Sequence, residues 1–159
     1  MVAKSTEGRA GHRMKAIVTV GLPGCGKSTY AEGLDGKYVE INLDKCREIV
    51  NGDAADQSNI QQVIAYRDSM IEQAAKLHAD IIVSDTNLHP EFRKGLISDL
   101  KKLGYKVTLT HFTTSLETCM KRNKNRDRQV PDHAMIRMHD QLQKNPVNPK
   151  EADHYVQVD

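Results

Sequence analysis

The chain has 159 residues, 38% of them hydrophobic and 28% charged, and a formal charge of +2. That length suits one domain with one core, and the near balance of charge neither demands nor excludes a nucleic-acid partner. Three scattered cysteines, Cys25, Cys46 and Cys119, exclude a disulfide framework and a CxxC metal site, and no apolar run approaches the ~18 residues that cross a bilayer.

Residues 1–13 are polar, broken by Gly and Ala, and lack the apolar core of a secretory signal. They are expected to form a disordered tail outside a domain spanning residues 14–159, with no membrane partner and a cytoplasmic location. From Met14 onward short apolar runs alternate with amphipathic segments, the pattern of an α/β fold with a parallel sheet flanked by helices.

Ala16 to Val20 reads as a strand buried on both faces, ended by Gly21, with a helix opening near Lys27. Tyr38 to Ile41 is a second strand, and Asp44 to Val50 a brief helix stopped by Asn51-Gly52. The spacing of Ile60, Ile64, Ile71, Ala74 and Ala75 predicts a long helix over 57–78. Ile81 to Val83 is a third strand. Pro90 opens a helix with Phe92, Leu96, Ile97, Leu100 and Leu103 on one face, ended by Gly104.

Lys106 to Phe112 reads as a fourth strand, and Thr114-Ser-Leu-Glu117 has capping-box spacing at the head of a helix that runs into a basic stretch. A last helix runs from Pro131 to about Gln143, and His154 to Val158 is a possible fifth strand. The sheet is thus expected to have four or five strands.

Gly21-Leu-Pro-Gly-Cys-Gly-Lys-Ser28 matches GxxxxGK(S/T) between a buried strand and a helix, the context that pattern requires. Gly21, Gly24 and Gly26 let the backbone pass close to phosphates, so that successive N–H groups, including those near Cys25 and Thr29, face the anion. Lys27 is positioned to bridge the β- and γ-phosphates of a nucleoside triphosphate, and the Ser28 hydroxyl to ligate Mg²⁺. Cys25 reads mainly as a small residue that fits this loop.

A phosphoryl acceptor needs a base and cationic groups near it. Asp44 and Arg47, at i and i+3 of a helix start after the second strand, can point to the ligand side of a doubly wound sheet. Asp44 is the candidate base; the competing reading is a helix-capping carboxylate with Arg47 as its surface partner. Asp85 follows the third strand in the place of a Walker B carboxylate that holds Mg²⁺, with Thr86 and Asn87 adding polar reach beside it. In the basic stretch, Arg122 and Arg126 lie at i and i+4. They belong either to a solvated helix face or to a lid that closes over the triphosphate, and the lid is the preferred reading. The seven histidines show no metal-binding spacing.

Taken together, Gly21 to Thr29, Ile41-Asn-Leu-Asp-Lys-Cys-Arg47, Val83-Ser-Asp-Thr-Asn-Leu-His-Pro-Glu91 and Lys121-Arg-Asn-Lys-Asn-Arg126 resemble the bacteriophage polynucleotide 5′-kinases, the kinase half of phage kinase-phosphatase repair enzymes. The likeness runs from about Lys15 to Gln143. It implies a P-loop kinase fold with a basic helical lid, using ATP or another nucleoside triphosphate with Mg²⁺ on the 5′-hydroxyl ends of DNA or RNA. It further implies that Asp44 is the general base, Arg47 assists beside the acceptor phosphate, and Asp85 and Thr86 shape the acceptor site. Arg122 and Arg126 would bind donor phosphates. No DxDGT-type motif follows, so 3′-phosphatase activity is not implied. The residues alone also leave open a small-molecule P-loop kinase and a nucleotide-switched nucleic-acid-binding protein that transfers nothing.

Overall fold

The computed structural model describes residues 13–159. The expected tail therefore lies, apart from Arg13, outside the described residues. The elements in chain order are β1 (Lys15–Val20), α1 (Lys27–Glu32), β2 (Val39–Ile41), α2 (Leu43–Asn51), α3 (Ile60–Lys76) and β3 (Ile81–Val83). They continue with α4 (Pro90–Lys102), β4 (Lys106–Phe112), α5 (Leu116–Lys124), α6 (Asp132–Lys144), a 3-10 turn at Pro149–Glu151 and β5 (His154–Val158). All five strands are parallel in the order β2-β3-β1-β4-β5. The chain leaves β1 first toward β3 and β2 and later returns to β4 on its other side. The loop after β1 therefore opens at the crevice where doubly wound sheets take their ligands.

Strand alternation sorts the core into two layers. Ala16, Val18, Val20, Ile81 and Val83 pack against Ile71 and Ala74 of α3 and Leu96, Ile97 and Leu100 of α4. The intervening Ile17 and Ile82 turn the other way, onto Ala31 of α1 with Tyr30 beside it. A third cluster of Leu22, Cys25, Phe112, Cys119 and Met135 fastens α5 and α6 to the loop after β1. Among the described residues no helix is long and apolar enough to cross a membrane.

Several boundaries shift for local reasons. The long helix starts at Ile60 because Asn59 takes a left-handed φ of 54° and Asp56 draws the Ser58 N–H and hydroxyl into a turn. It ends at Lys76, before the left-handed His78. Ile60 and Phe92, expected on buried faces, are 45% and 44% exposed. Their places toward the core fall to Val63 and Arg67 on α3 and to Arg93 on α4. The expected cap Thr114 is displaced by Ser115, whose hydroxyl accepts from Thr118 N–H at 3.2 Å, while Thr114 Oγ1 donates to the Cys25 carbonyl at 3.3 Å.

Arg93 is wholly buried, which sequence periodicity gives no reason to expect. Its guanidinium donates to both carboxylate oxygens of Glu151, at 2.7 and 2.9 Å, and to the Asn87 carbonyl at 2.7 Å. One cation thus ties the C-terminal turn to the loop after β3, and satisfies the buried charge by forked hydrogen bonding rather than by solvent.

Candidate active site

The loop between β1 and α1 is built by two left-handed glycines, Gly24 at φ 80° and Gly26 at φ 105°. A Cβ on Gly24 would sit 2.6 Å from the Cys119 carbonyl oxygen, so this position serves both the loop's curvature and its close packing under α5. Gly24→Ala is therefore expected to cost about 1–3 kcal/mol of folding stability. A parallel loss of nucleotide affinity should appear when denaturant melts are paired with nucleotide titration.

Lys27 is folded into the loop, its ammonium donating to the carbonyls of Gly21 at 2.9 Å and Leu22 at 2.7 Å and approaching Cys25 Sγ at 3.4 Å. Burial pulls its pKa below the ordinary lysine value, and the positive charge of Arg126 pulls in the same direction. Such an ammonium is short of negative partners, a state that an arriving triphosphate relieves. Ser28 and Thr29 are exposed in the first turn of α1, and Ser28 borders an open groove of about 980 Å³ that also runs past Asn42 and Lys45. Cys25 is buried in the loop cluster, in keeping with a packing role.

Asp44 lies in the first turn of α2, yet it is not the cap. That part is taken by Asn42, whose side chain accepts from Lys45 N–H at 2.8 Å. Asp44 Oδ1 accepts from Arg47, and Oδ2 accepts from Arg128 at 3.0 Å. Arg47 is buried rather than a surface partner, and its Nε donates to the Ala54 carbonyl at 2.8 Å. The capping explanation for these two residues thus finds no counterpart in the geometry.

The basic stretch approaches both the loop after β1 and Asp44. Arg122 Nη1 donates to the Gly24 carbonyl at 3.5 Å, while Arg128, which sequence spacing did not single out, reaches Asp44. No periodic signal marks Arg128, because it lies in a loop beyond the end of α5.

Asp85 turns toward α2. Its Oδ1 accepts from Leu43 N–H at 2.8 Å, and its Oδ2 is shielded from solvent with no partner, as is Arg67 Nη1. Thr86 accepts from Gly21 N–H through its carbonyl at 3.1 Å, and Asn87 Nδ2 donates to the Thr19 carbonyl at 2.8 Å. These two contacts, one backbone to backbone and one from the Asn87 side chain, link the loop after β3 to the end of β1.

Burial pushes the Asp85 carboxyl up to about 6, against the pull of the Leu43 N–H and of Arg67. The unfolded chain titrates near 3.8, so between 3.8 and about 6 the native state holds more proton, and stability falls as pH rises through that window. This group alone is expected to make the protein less stable at about pH 7.5 than at about pH 5, by roughly 1–2 kcal/mol. Asp85→Asn keeps an acceptor for Leu43 N–H and should flatten that part of the curve, measured by denaturant melts of both proteins at the two pH values.

A glycine-rich loop with its lysine after the first strand of a parallel 2-3-1-4-5 sheet, overhung by a basic helical segment, defines a P-loop kinase domain. The chain belongs to the AAA domain family, whose model matches residues 17–145.

Over 129 residues it is 32% identical to a putative bifunctional polynucleotide kinase/RNA ligase of Autographa californica nuclear polyhedrosis virus, covering 72% of this chain and 18% of that protein. Over 133 residues it is 27% identical to an L-seryl-tRNA(Sec) kinase of Methanococcus maripaludis, covering 79% of this chain and 51% of that protein. It thus spans about a fifth of the first relative's length and about half of the second's.

Among solved structures, a chain of the Pnkp1/Rnl/Hen1 RNA repair complex superposes with a TM-score of 0.74 at 20% identity, over 84% of this chain and 45% of that one. A gluconokinase from Sinorhizobium meliloti superposes with a TM-score of 0.60 at 20% identity, over 93% and 83%. At these identities the likeness to both structures is one of fold.

Proposed function

We propose that this chain is an ATP-dependent polynucleotide 5′-hydroxyl kinase, passing the γ-phosphoryl group to the 5′-end of DNA or RNA. One observation carries the reading: the lid segment that touches the phosphate-binding loop through Arg122 also touches the Asp44 carboxylate through Arg128. One short segment thus contacts both the donor loop and the candidate base. The relationship to the polynucleotide kinase/RNA ligase supports a nucleic-acid acceptor, and the relationship to the seryl-tRNA kinase supports a hydroxyl carried on RNA.

In this reading Lys27, with the main-chain amides of the loop, holds the β- and γ-phosphates of ATP or another nucleoside triphosphate. Arg122 and Arg126 close over the donor phosphates from the lid. Asp44 takes the proton of the 5′-hydroxyl as that oxygen attacks the γ-phosphorus, the bond from phosphorus to the β,γ-bridging oxygen breaks, and the nucleoside diphosphate leaves. Arg47 fixes the carboxylate and offers positive charge to the acceptor.

Asp85, through Leu43 N–H, holds the head of α2 and hence the base, with Thr86 and Asn87 shaping the neighbouring loop. The exposed Ser28 hydroxyl is an oxygen donor of the kind Mg²⁺ takes and would hold that ion, which would supply charge neutralisation to the triphosphate.

Labelled ATP and Mg²⁺ with 5′-hydroxyl DNA and RNA oligonucleotides should give end-labelled product. Absence of label on both would overturn the reading. A small-molecule kinase is the second reading, favoured by the gluconokinase-like fold over most of both chains. Salt separates the two: transfer to a single-stranded end should weaken with a log-log slope of about −0.7 for each phosphate contact, whereas transfer to a neutral sugar should show only the salt dependence of ATP binding.

A further inference from the structure

We infer that Arg128 is an acceptor-binding residue, whose guanidinium passes from Asp44 to the phosphodiester immediately 3′ of the reacting hydroxyl when the acceptor enters. This rests on the polynucleotide reading above. The lid arginines divide between the two halves of the site. Arg122 lies on the Gly24 carbonyl at 3.5 Å, and the charge of Arg126 is close enough to Lys27 to oppose its ammonium. Arg128 alone of the three reaches across 84 residues of sequence to Asp44 Oδ2, at 3.0 Å.

The segment that presents Arg128 is tied down. The buried Asn123 side chain donates to the Val130 carbonyl at 2.7 Å and accepts from Val130 N–H at 3.0 Å, closing the loop between α5 and α6 on itself. Gln129 Nε2 donates to the Lys124 carbonyl at 2.8 Å within the same loop. A pinned loop delivers one side chain to one place, as specificity requires.

With Arg47 on Oδ1 and Arg128 on Oδ2, each oxygen of Asp44 carries one cationic donor, and the carboxylate becomes a better proton acceptor for an alcohol once one of these cations moves off it. Arg47 is buried and held at a second point by Ala54. The Arg128 and Asp44 side chains are 39% and 45% exposed, so their pair is the one that water and competing ions readily exchange. A released guanidinium then stands beside an incoming nucleotide whose nearest fixed negative charge is the first internucleotide phosphate. The planar fork of arginine matches that group.

The test compares 5′-hydroxyl oligonucleotides with an ordinary first linkage against ones whose first linkage is a neutral methylphosphonate. The wild-type protein should favour the charged linkage in kcat/KM. Arg128→Gln should reduce that preference about tenfold, and Arg128→Lys should restore part of it. Arg122→Gln, on the donor side, should lower transfer to both oligonucleotides in proportion and keep the preference.

An undiminished preference in Arg128→Gln would overturn the inference while leaving the polynucleotide reading intact. Faster transfer to both oligonucleotides alike would also overturn it, by showing that Arg128 merely masks the base. Failure of the wild-type protein to label either oligonucleotide would instead remove the polynucleotide reading, and this inference with it.

Discussion

Asp44→Asn is expected to lower phosphoryl transfer by ~10²- to 10⁴-fold, the range supplied by a positioned general base, with little change in nucleotide affinity. The amide keeps the size of the carboxylate and one oxygen to accept from Arg47 or Arg128, so the fold around α2 should survive. What it loses is the basicity that takes the alcohol proton. Asparagine is a better probe than alanine here because Arg47 is buried, and the amide oxygen still gives its guanidinium a hydrogen-bond acceptor that alanine would remove. Single-turnover transfer and a nucleotide titration, run on the same preparation, separate the two quantities. Loss of both in equal measure would make Asp44 a structural residue and remove it from the chemistry.

Lys27→Ala should reduce transfer by a comparable ~10²- to 10³-fold, the scale for removing one preorganised charge donor from a developing oxyanion. Here nucleotide affinity should fall as well. The expected pattern therefore differs from that of Asp44→Asn: Lys27→Ala affects both binding and chemistry, Asp44→Asn chemistry alone. The Lys27 ammonium also ties down the Gly21 and Leu22 carbonyls, so its removal loosens the loop. Thermal melts with and without nucleotide would register this as a smaller ligand-induced rise in Tm. A variant that binds nucleotide normally and transfers at the wild-type rate would refute the assigned role.

Magnitudes help rank the remaining contacts. The exposed pairs Lys121 with Glu117 and Lys144 with Asp140 are ordinary helix-surface pairs and contribute a few tenths of a kcal/mol at most. Arg93 with Glu151 is different, because one partner has no access to water. Glu151 shows it: burial alone would push its carboxyl up, yet hydrogen bonds from Arg93 and from Asn148 N–H hold it below the usual value. That contribution is present above the unfolded glutamate pKa and is lost as pH falls through the lowered one. Through Arg93 the C-terminal turn thus helps hold the Asn87 carbonyl, and with it the loop that carries Asp85.

Much of this molecule was legible before any coordinates. The strand at Lys106–Phe112 falls where its apolar pattern put it, since a strand between covering helices needs little more than β-forming residues in a row, and the possible strand at His154–Val158 forms at the sheet's exposed edge. The phosphate-binding loop was legible because its chemistry is local: the spacing of three glycines, a lysine and a serine specifies a backbone path by itself. Helix ends were less so. Whether Thr114 or Ser115 caps α5 depends on which hydroxyl a distant loop claims, and the Cys25 carbonyl claims Thr114.

The sequence by itself determined the α/β class, the position of the donor loop, and the four short segments from which the candidate site is drawn. Local spacing is enough for each. Only the tertiary structure decided which of those segments meet. It set Arg128 rather than a capping contact against Asp44, turned Asp85 toward α2, and buried Arg67 and Arg93 within helices whose periodicity shows only apolar stripes. The physical reason is that charge pairing acts through space between groups 58 to 84 residues apart, and no period of 2 or 3.6 residues carries information over that separation.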